Sequence, residues 1–417
     1  MLSKASPTFR SSLTYPPEEV QQVFDAKIQE EELIVEENST PVAHQFEEFL
    51  HSRLSYLSGC INIASLFSGA GGLDLGVKLS AATVEYGEDI SLAGLANRAK
   101  FEKLSGKVHY VYSNDLFASS NETYLSNIGG GVVKDSRDIR QVISFPDSDL
   151  ILGGFPCPGF SAAGPRLLDD PRNFLYIHYI RALMQSKPSF FIAENVKGLM
   201  TMAGGQALKQ ISEDFGAAGY QVSAHLVNSR DYGVPQFRER VFIIGVRNDI
   251  AEKYGFQYEL PEPTHGPGKE YPWVTLREAF EGLPVGHDEE VFDTSYSSMY
   301  MSRNRKKSWD EQSFTIQASG RQAPQWPGGK PMVKLGKNEW KFQGSENRRM
   351  SVRECARVQT FPDWYEFSDG GKLHTTKNNR LNEQYKQIGN AVPVLLAEKI
   401  SRPIIRFFLE HKEILKN

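Results

Sequence analysis

The sequence predicts an α/β protein built on a doubly wound, mostly parallel sheet, with a smaller, irregular, β-rich domain attached. Between residues 62 and 247, short apolar runs alternate with amphipathic stretches. Such alternation is typical of a parallel sheet that helices cover on both faces. Beyond this region, Gly, Pro and aromatic residues become frequent and helical periodicity is lost. The predicted strands cover residues 61–67, 108–113, 149–152, 190–193, 221–226 and 240–246.

The chain divides into five predicted segments. Residues 1–58 form an acidic appendage with two expected helices, and residues 59–254 form the large α/β domain. Residues 255–350 form the irregular domain, and residues 351–383 connect it to the remainder. Residues 384–417 form a carboxyl-terminal segment of helical texture, which is expected to return to the large domain.

The composition is that of a soluble protein. Hydrophobic residues make up 40% of the 417 positions and charged residues 24%. No apolar run approaches the roughly 20 residues that a membrane span needs, and the amino terminus lacks the apolar core of a secretory signal. The three cysteines, Cys60, Cys157 and Cys355, give no disulfide framework. We therefore expect a cytoplasmic protein without membrane contact.

The charge distribution is uneven. The formal net charge of the whole chain is -4, which by itself argues weakly against a nucleic-acid partner. Residues 301–349, however, carry eleven Lys and Arg against four acids. A basic region of this kind is suited to phosphate contact. A solvated charged surface remains an equally good interpretation of charge alone.

A lone cysteine lies in a turn rich in Gly and Pro. Cys157 follows the apolar run 149–152 within the sequence Gly-Gly-Phe-Pro-Cys-Pro-Gly-Phe-Ser. The thiol is therefore expected on the loop that leaves the carboxyl end of a parallel strand, where ligands bind in open α/β sheets. A thiolate is a strong nucleophile, so Cys157 is a candidate catalytic residue.

A glycine-rich turn follows the first predicted strand. Residues 67–72 read Phe-Ser-Gly-Ala-Gly-Gly and precede a helix, which allows a nucleotide-like ligand to approach the backbone. An acid at the end of the next strand would bind ribose hydroxyls. Asp115 is one candidate, and Glu88 and Asp89 compete with it; helix capping explains each of them equally simply.

Charged residues also flank two later strands. Glu194 follows the apolar run 190–193, so its carboxyl group is expected beside the loop of Cys157. Arg238 and Arg240 occupy alternate positions entering the last strand, so both guanidinium groups could converge on one anionic or carbonyl group. Helix capping by Glu194 and a structural salt bridge for the arginines are the alternatives.

Six motifs in order identify a resemblance. The segments Phe-Ser-Gly-Ala-Gly-Gly, Gly-Phe-Pro-Cys, Glu-Asn-Val, Gln-Phe-Arg-Glu-Arg, Arg-Glu-Cys-Ala-Arg and Gln-Ile-Gly-Asn-Ala-Val start at residues 67, 154, 194, 236, 353 and 387. Their order resembles that of the C5-cytosine-specific DNA methyltransferases over about residues 61–400. Many members of that family have Gln at the position of Pro158 and an aromatic residue at the position of Leu116. Insertions at about 79–107 and 369–382 also depart from the family pattern.

The resemblance implies a Rossmann-like methyltransferase domain and a chemical role for each motif. Cys157 would add to C6 of a flipped-out cytosine, Glu194 would hold N3 and the exocyclic amine, and Arg238 and Arg240 would position the carbonyl and the backbone. The implied cofactor is S-adenosyl-L-methionine, with S-adenosyl-L-homocysteine as product and no metal. Its implied contacts are Phe67, Gly69, Gly72, Asp115, Leu116, Asp138, Ile139, Gly154, Pro156, Asn390 and Ala391.

The resemblance also implies that residues 255–350 are a target-recognition domain for double-stranded DNA. Arg, Asn and Gln are the side chains that read guanine and adenine edges. The recognition region resembles that of prokaryotic enzymes acting at GGCC-like sites, so a GG-containing palindrome such as GGCC is expected, with a cognate restriction endonuclease. The protein is expected to be a monomer in the bacterial cytosol, associated with the nucleoid when bound to DNA. The candidate DNA-binding residues are Ser161, Arg303, Asn304, Arg305, Gln317, Arg321 and Gln322.

Three other functions compete with this interpretation. A dinucleotide-dependent oxidoreductase would explain the glycine-rich turn, but neither Cys157 with Glu194 nor the basic region. A transfer RNA methyltransferase would share the catalytic core, although a large recognition region favours duplex DNA. A non-catalytic DNA-binding regulator would need no nucleophile.

Overall fold

The fold is centred on a seven-stranded sheet. The computed structural model describes residues 16–156, 175–284, 288–371 and 376–416. The strands are β1 (Ile61–Leu66), β2 (Val108–Asn114), β3 (Val133–Asp135), β4 (Leu150–Gly153), β5 (Phe190–Val196), β6 (Tyr220–Asn228) and β7 (Glu239–Arg247). They lie in the order β3-β2-β1-β4-β5-β7-β6. Strands β1 to β5 run parallel, and β7 runs antiparallel to both of its neighbours. The predicted fold class is confirmed.

The order of the strands determines where a ligand can bind. The chain moves outward from β1 to β2 and β3, and then returns to place β4 on the other side of β1. This reversal opens a crevice at the carboxyl ends of β1 and β4. The glycine-rich turn leaves β1 and the loop toward Cys157 leaves β4, so the topology brings both to this crevice.

Helices cover both faces of the sheet. Alternate residues of β5 face opposite sides. Phe190 and Ile192 join the hydrophobic core that contains the helices at 72–86 and 394–410, whereas Phe191 and Ala193 join the core that contains the helices at 175–186 and 206–217. Burial on both faces explains why the strands are nearly continuous apolar runs. The helices are α1 (Pro17–Glu37), α2 (Pro41–Ser52), α3 (Gly72–Tyr86), α4 (Glu88–Leu95), α5 (Arg98–Leu104), α6 (Ala118–Asn127), α7 (Leu175–Ser186), α8 (Gly198–Thr201), α9 (Gln206–Ala217), α10 (Asn248–Tyr254), α11 (Leu276–Ala279), α12 (Val352–Val358), α13 (Lys377–Asn390) and α14 (Val394–Glu410).

The region predicted to be irregular and β-rich is irregular, but it has few strands. Its described residues contain one short hairpin, β8 (Val333–Gly336) with β9 (Glu339–Lys341). Buried side chains, rather than neighbouring strands, form hydrogen bonds with much of its backbone. Arg349 donates to the carbonyls of Phe292 and Thr294, and Arg305 donates to the carbonyl of Tyr300.

Among the described residues, no helix combines the length and the apolar character that crossing a membrane requires.

Candidate active site

A cavity of 490 Å³ lies at the carboxyl ends of β1, β2, β4 and β5. This volume is within the range of about 300–1,000 Å³ that is usual for small-molecule sites. Every residue predicted to contact the cofactor lines it, and so does Glu194. The predicted cofactor residues on its walls are Phe67, Gly69, Gly72, Asp115, Leu116, Asp138, Ile139, Gly154, Pro156, Asn390 and Ala391.

The glycine-rich turn forms one wall by means of left-handed backbone. Phe67 and Gly69 each have φ of 52°, and Gly71 has φ of 78°. A Cβ atom placed on Gly69 would meet no other atom within 4 Å, so the space beside this turn is open. Gly72 is tighter, because a Cβ there would lie 2.5 Å from the carbonyl oxygen of Val392. The turn therefore presents its backbone to the cavity on one side and packs against the returning carboxyl-terminal segment on the other.

Asp115 fastens this turn to the end of β2. Its Oδ2 accepts from the Gly69 N–H at 2.9 Å, and its Oδ1 accepts from the Phe117 N–H at 2.9 Å. The competing candidates do not line the cavity. Glu88 instead pairs with Lys399 at 2.6 Å and with Arg402 at 2.9 Å. Of the three acids weighed from the sequence, only Asp115 is positioned to contact a ligand in this cavity.

Asp138 and Ile139 form the wall that follows β3. The Asp138 carboxylate accepts from the backbone and the guanidinium of Arg140, at 3.0, 2.9 and 2.5 Å. These hydrogen bonds hold the pKa of Asp138 below its usual value. Ile139 is buried and belongs to the hydrophobic core. The wall thus combines an anionic edge with an apolar surface.

Glu194 lies near the end of β5, beside Gly154 at the exit of β4. Arg240 on the adjacent β7 places its Nε 2.9 Å from Glu194 Oε1. A Cβ on Gly154 would lie 3.1 Å from Glu194 Oε2, so the second oxygen faces the strand exit that leads to Cys157. Burial lowers the pKa of the Arg240 guanidinium, and the Glu194 carboxylate partly reverses that effect.

Arg238 does not converge with Arg240 on one group. It precedes β7, is 1% exposed, and donates to the carbonyls of Ile316, Gly389 and Ala391 at 3.2, 2.9 and 3.0 Å. Arg238 therefore joins residues 255–350 to the carboxyl-terminal segment. Its contact with a base stays a prediction.

Two predicted site residues, Cys157 and Ser161, lie outside the described residues. The chain that leads to Cys157 is described as far as Pro156, which lines the cavity. Asn195 Nδ2 donates to the Phe155 carbonyl at 3.1 Å. The end of β5 therefore anchors the start of the cysteine loop.

The carboxyl-terminal segment closes the cavity from the opposite side. Asn390 ends α13 and Ala391 follows it before α14, and both line the cavity together with Val392. Gln359 donates to the carbonyls of Ile388 and Ala391 at 2.6 and 3.0 Å, which fixes this corner. The carboxyl-terminal segment thus supplies a wall of the cavity.

Several residues that line the cavity were not predicted from the sequence. Asp74 lies in the first turn of α3, and its burial raises its pKa to about 6, against the opposing effect of hydrogen bonds from Ser65 and Tyr124. Phe117 is 48% exposed at the cavity, and Lys386 Nζ lies 3.8 Å from the centre of its ring. Phe117 follows Leu116 directly, so an aromatic residue is present one position later than the family pattern suggests.

The candidate DNA-reading residues separate into two groups. Arg303, Gln317 and Arg321 are exposed. Arg305 is buried, and its guanidinium donates to Gln322 Oε1 at 2.8 Å and lies over the Tyr300 ring. Asn304 is half-buried, with its Oδ1 accepting from the backbone of Lys306. The Arg305 guanidinium is thus bonded inside the region, and its contact with a base stays a prediction.

Comparison with known proteins agrees with this architecture. The family described as C-5 cytosine-specific DNA methylase matches residues 61–406. The chain is 52% identical to the type II methyltransferase M.BspRI of Lysinibacillus sphaericus, over 97% of the chain and 93% of that protein. It is also 52% identical to M.BsuRI of Bacillus subtilis, over 97% and 92%. The structure of Dnmt2 methyltransferase from S. pombe aligns with a TM-score of 0.53 and 17% identity, over 84% of the chain and 98% of that protein, which supports the fold.

Proposed function

Because the chain belongs to the family of C-5 cytosine-specific DNA methylases and is a modification enzyme of the type II kind, we propose that the cavity binds S-adenosyl-L-methionine and that Cys157 and Glu194 act on a flipped-out cytosine. The observation that carries this proposal is the shared cavity. The glycine-rich turn, the Glu194 carboxylate and the strand exit that leads to Cys157 all line it. A nucleotide-like donor and a base-holding acid thus meet at one edge of the sheet.

The residues present fit a methyl donor of this kind. Open space beside Gly69 allows a ligand to approach the backbone. Phe67, Leu116 and Ile139 offer apolar surface to an adenine, and Asp115 offers a carboxylate to ribose hydroxyls. When bound, S-adenosyl-L-methionine supplies an electrophilic methyl group on its sulfonium sulfur.

The protein groups make the base reactive. C5 of cytosine is a poor nucleophile, and adding the Cys157 thiolate to C6 makes C5 electron-rich. Glu194 would hold N3 and the exocyclic amine, which draws electron density toward the far edge of the ring while the Sγ–C6 bond forms. After C5 is methylated, loss of its proton restores the C5–C6 double bond and expels the thiolate. Arg240 keeps Glu194 aligned through the 2.9 Å ion pair.

The base must leave the duplex before this chemistry starts, at a cost of roughly a few kcal/mol in unstacking. We assign contact with the duplex to the exposed residues of the recognition region, among them Arg303, Gln317 and Arg321. Lys330, Lys334, Lys337 and Lys341 are exposed as well and suit phosphate contact. The proposed target is a GG-containing palindrome such as GGCC. The proposed partner is a cognate restriction endonuclease, and the enzyme would act as a monomer in the bacterial cytosol.

Transfer of tritium from labelled S-adenosyl-L-methionine to duplex DNA tests this function. Bisulfite sequencing of a host that expresses the protein would identify the modified cytosine and its site. DNA containing 5-fluorocytosine in that site should form a covalent adduct, because the proton needed for release is absent. Labelling of transfer RNA in place of DNA, or a nicotinamide-dependent absorbance change without methyl transfer, would overturn the proposal.

A further inference from the structure

The two amino-terminal helices lie outside the matched family region, which begins at residue 61, yet they share a core with the cavity wall. Phe24 and Ile28 of α1 and Leu50 of α2 are buried in the same hydrophobic cluster as Ile139. Ile139 in turn lines the cavity. Helices α1 and α2 therefore pack on the same face of the sheet as the wall that follows β3.

A buried acid of α2 reaches into that wall. Glu47 is 6% exposed, and its Oε2 lies 2.6 Å from Arg137 NH1. Its other oxygen accepts from the N–H and the hydroxyl of Ser144 at 3.0 and 3.2 Å, and His51 Nε2 lies 3.6 Å from the same oxygen. Phe46 of the same helix places its ring 5.1 Å from the Arg137 guanidinium. Two successive residues of α2 thus hold one arginine.

Arg137 is itself a residue of the cavity wall, directly before Asp138. Its guanidinium also pairs with Asp135 at 2.7 Å, and Asp135 accepts from Tyr112 Oη at 2.7 Å. Burial lowers the pKa of Arg137, but the hydrogen bonds and charges of Asp135 and Glu47 outweigh burial and raise it. The arginine therefore stays charged between two carboxylates.

The backbone of Arg137 is also hydrogen-bonded to residues next to those assigned to the donor. Its N–H donates to Asp135 Oδ1 at 3.0 Å, and its carbonyl accepts from Asn114 Nδ2 at 2.9 Å. Asn114 directly precedes Asp115, so both acids assigned to the donor flank this network. Displacement of Arg137 would shift the wall on both sides of it.

We propose that Glu47 is a positioning residue for the methyl donor. Through Glu47 the appendage holds Arg137 in place, and Arg137 keeps Asp115, Asp138 and Ile139 in the positions that bind the donor. This inference rests on the proposed function, because it presumes that the cavity binds S-adenosyl-L-methionine. It gives the appendage a role in the reaction through the wall that holds the donor.

The test compares Glu47→Gln with Glu48→Gln, its exposed neighbour on the same helix. We expect Glu47→Gln to raise the KM for S-adenosyl-L-methionine and the Kd for S-adenosyl-L-homocysteine by about fivefold or more, with the KM for DNA unchanged. Glu48→Gln should match the wild type in all three quantities. An unchanged donor affinity in folded Glu47→Gln protein would overturn the proposal.

A second pair of variants separates positioning from simple loss of stability. Ile28→Ala weakens the packing of the appendage without touching the ion network, and Ser144→Ala removes one hydrogen bond of Glu47 while leaving its charge. Positioning predicts that Ser144→Ala raises the donor KM and Ile28→Ala does not, whatever their melting temperatures. A donor KM that follows the melting temperature in both variants would overturn the proposal. Failure of wild-type protein to bind S-adenosyl-L-homocysteine would instead refute the proposed function.

Discussion

The cavity at the sheet edge and the recognition region use charged residues in different ways. At the sheet edge, Asp115 directly follows β2, Glu194 lies near the end of β5, and both line the cavity. In the recognition region, Arg303 is exposed while Arg305, two positions later, is buried against Tyr300. A strand end determines where the next side chain lies, whereas an irregular segment leaves its direction to local packing. Motifs next to strands are therefore more reliable guides to a site than basic composition.

The largest expected effect concerns the nucleophile assigned to the sheet edge. Cys157→Ser should abolish methyl transfer while duplex binding is retained, because a serine hydroxyl does not form the reactive anion at neutral pH. Tritium transfer and a DNA mobility shift would measure the two properties. Cys60→Ser is the matched control, since Cys60 lies before β1 and does not line the cavity. Transfer by the Cys157 variant at the wild-type rate would remove this residue from the mechanism.

The next effect concerns the acid beside that loop. Glu194→Gln should lower kcat by about 10²–10⁴-fold, the usual contribution of a positioned acid or base, with little change in the KM for the methyl donor. Single-turnover kinetics with saturating DNA would measure the chemical step. Glu239→Gln is the control, because Glu239 pairs with Lys197 at 2.9 Å and does not line the cavity. An equal loss in both variants would indicate disruption of the sheet rather than of catalysis.

Variants of Arg303 and Arg305 would test the difference between exposed and buried arginines of the recognition region. Arg303→Ala should weaken DNA binding and reduce the slope of log affinity against log salt by about 1, with the melting temperature unchanged. Arg305→Ala should lower the free energy of unfolding by about 1–3 kcal/mol, because the Tyr300 carbonyl and Gln322 lose a buried partner. Thermal denaturation and salt titrations of binding separate the two. If Arg305→Ala left stability intact and reduced the salt slope, the division into surface and interior residues would be wrong.

The smallest expected effect is on the pH dependence of the free energy of unfolding. Burial raises the pKa of Asp74 to about 6, so the folded state favours the protonated carboxyl. The stability that this group contributes is fully present below the pKa of an unfolded aspartate, about 4, and is lost as pH rises through 6. Asp74→Asn should therefore flatten the fall in unfolding free energy between about pH 4 and pH 6. Urea denaturation across this range would show it, with Asp89→Asn on the exposed face of α4 as control.

Much of the sheet was predictable because its strands are buried on both faces and read as apolar runs. Strand β3 was missed, since its three residues, Val133–Asp135, include two charged ones. Many residues that line the cavity were predicted from motifs that lie beside strands. Asp74 and Arg137 were not found, because their place in the site depends on burial and on a partner in α2 that the local sequence does not show. The function as a C5-cytosine DNA methyltransferase is confirmed, while the roles of individual residues stay predictions.

The carboxyl-terminal segment is synthesised last, but it packs on α3, which directly follows the first strand. Val392 packs on Gly72, and Ala397 packs on Gly76 of the same helix. A growing polypeptide that has been synthesised only through β7 already contains every strand of the sheet but lacks this wall. The cavity is therefore complete only when the chain has been synthesised beyond Val392, near the end of translation.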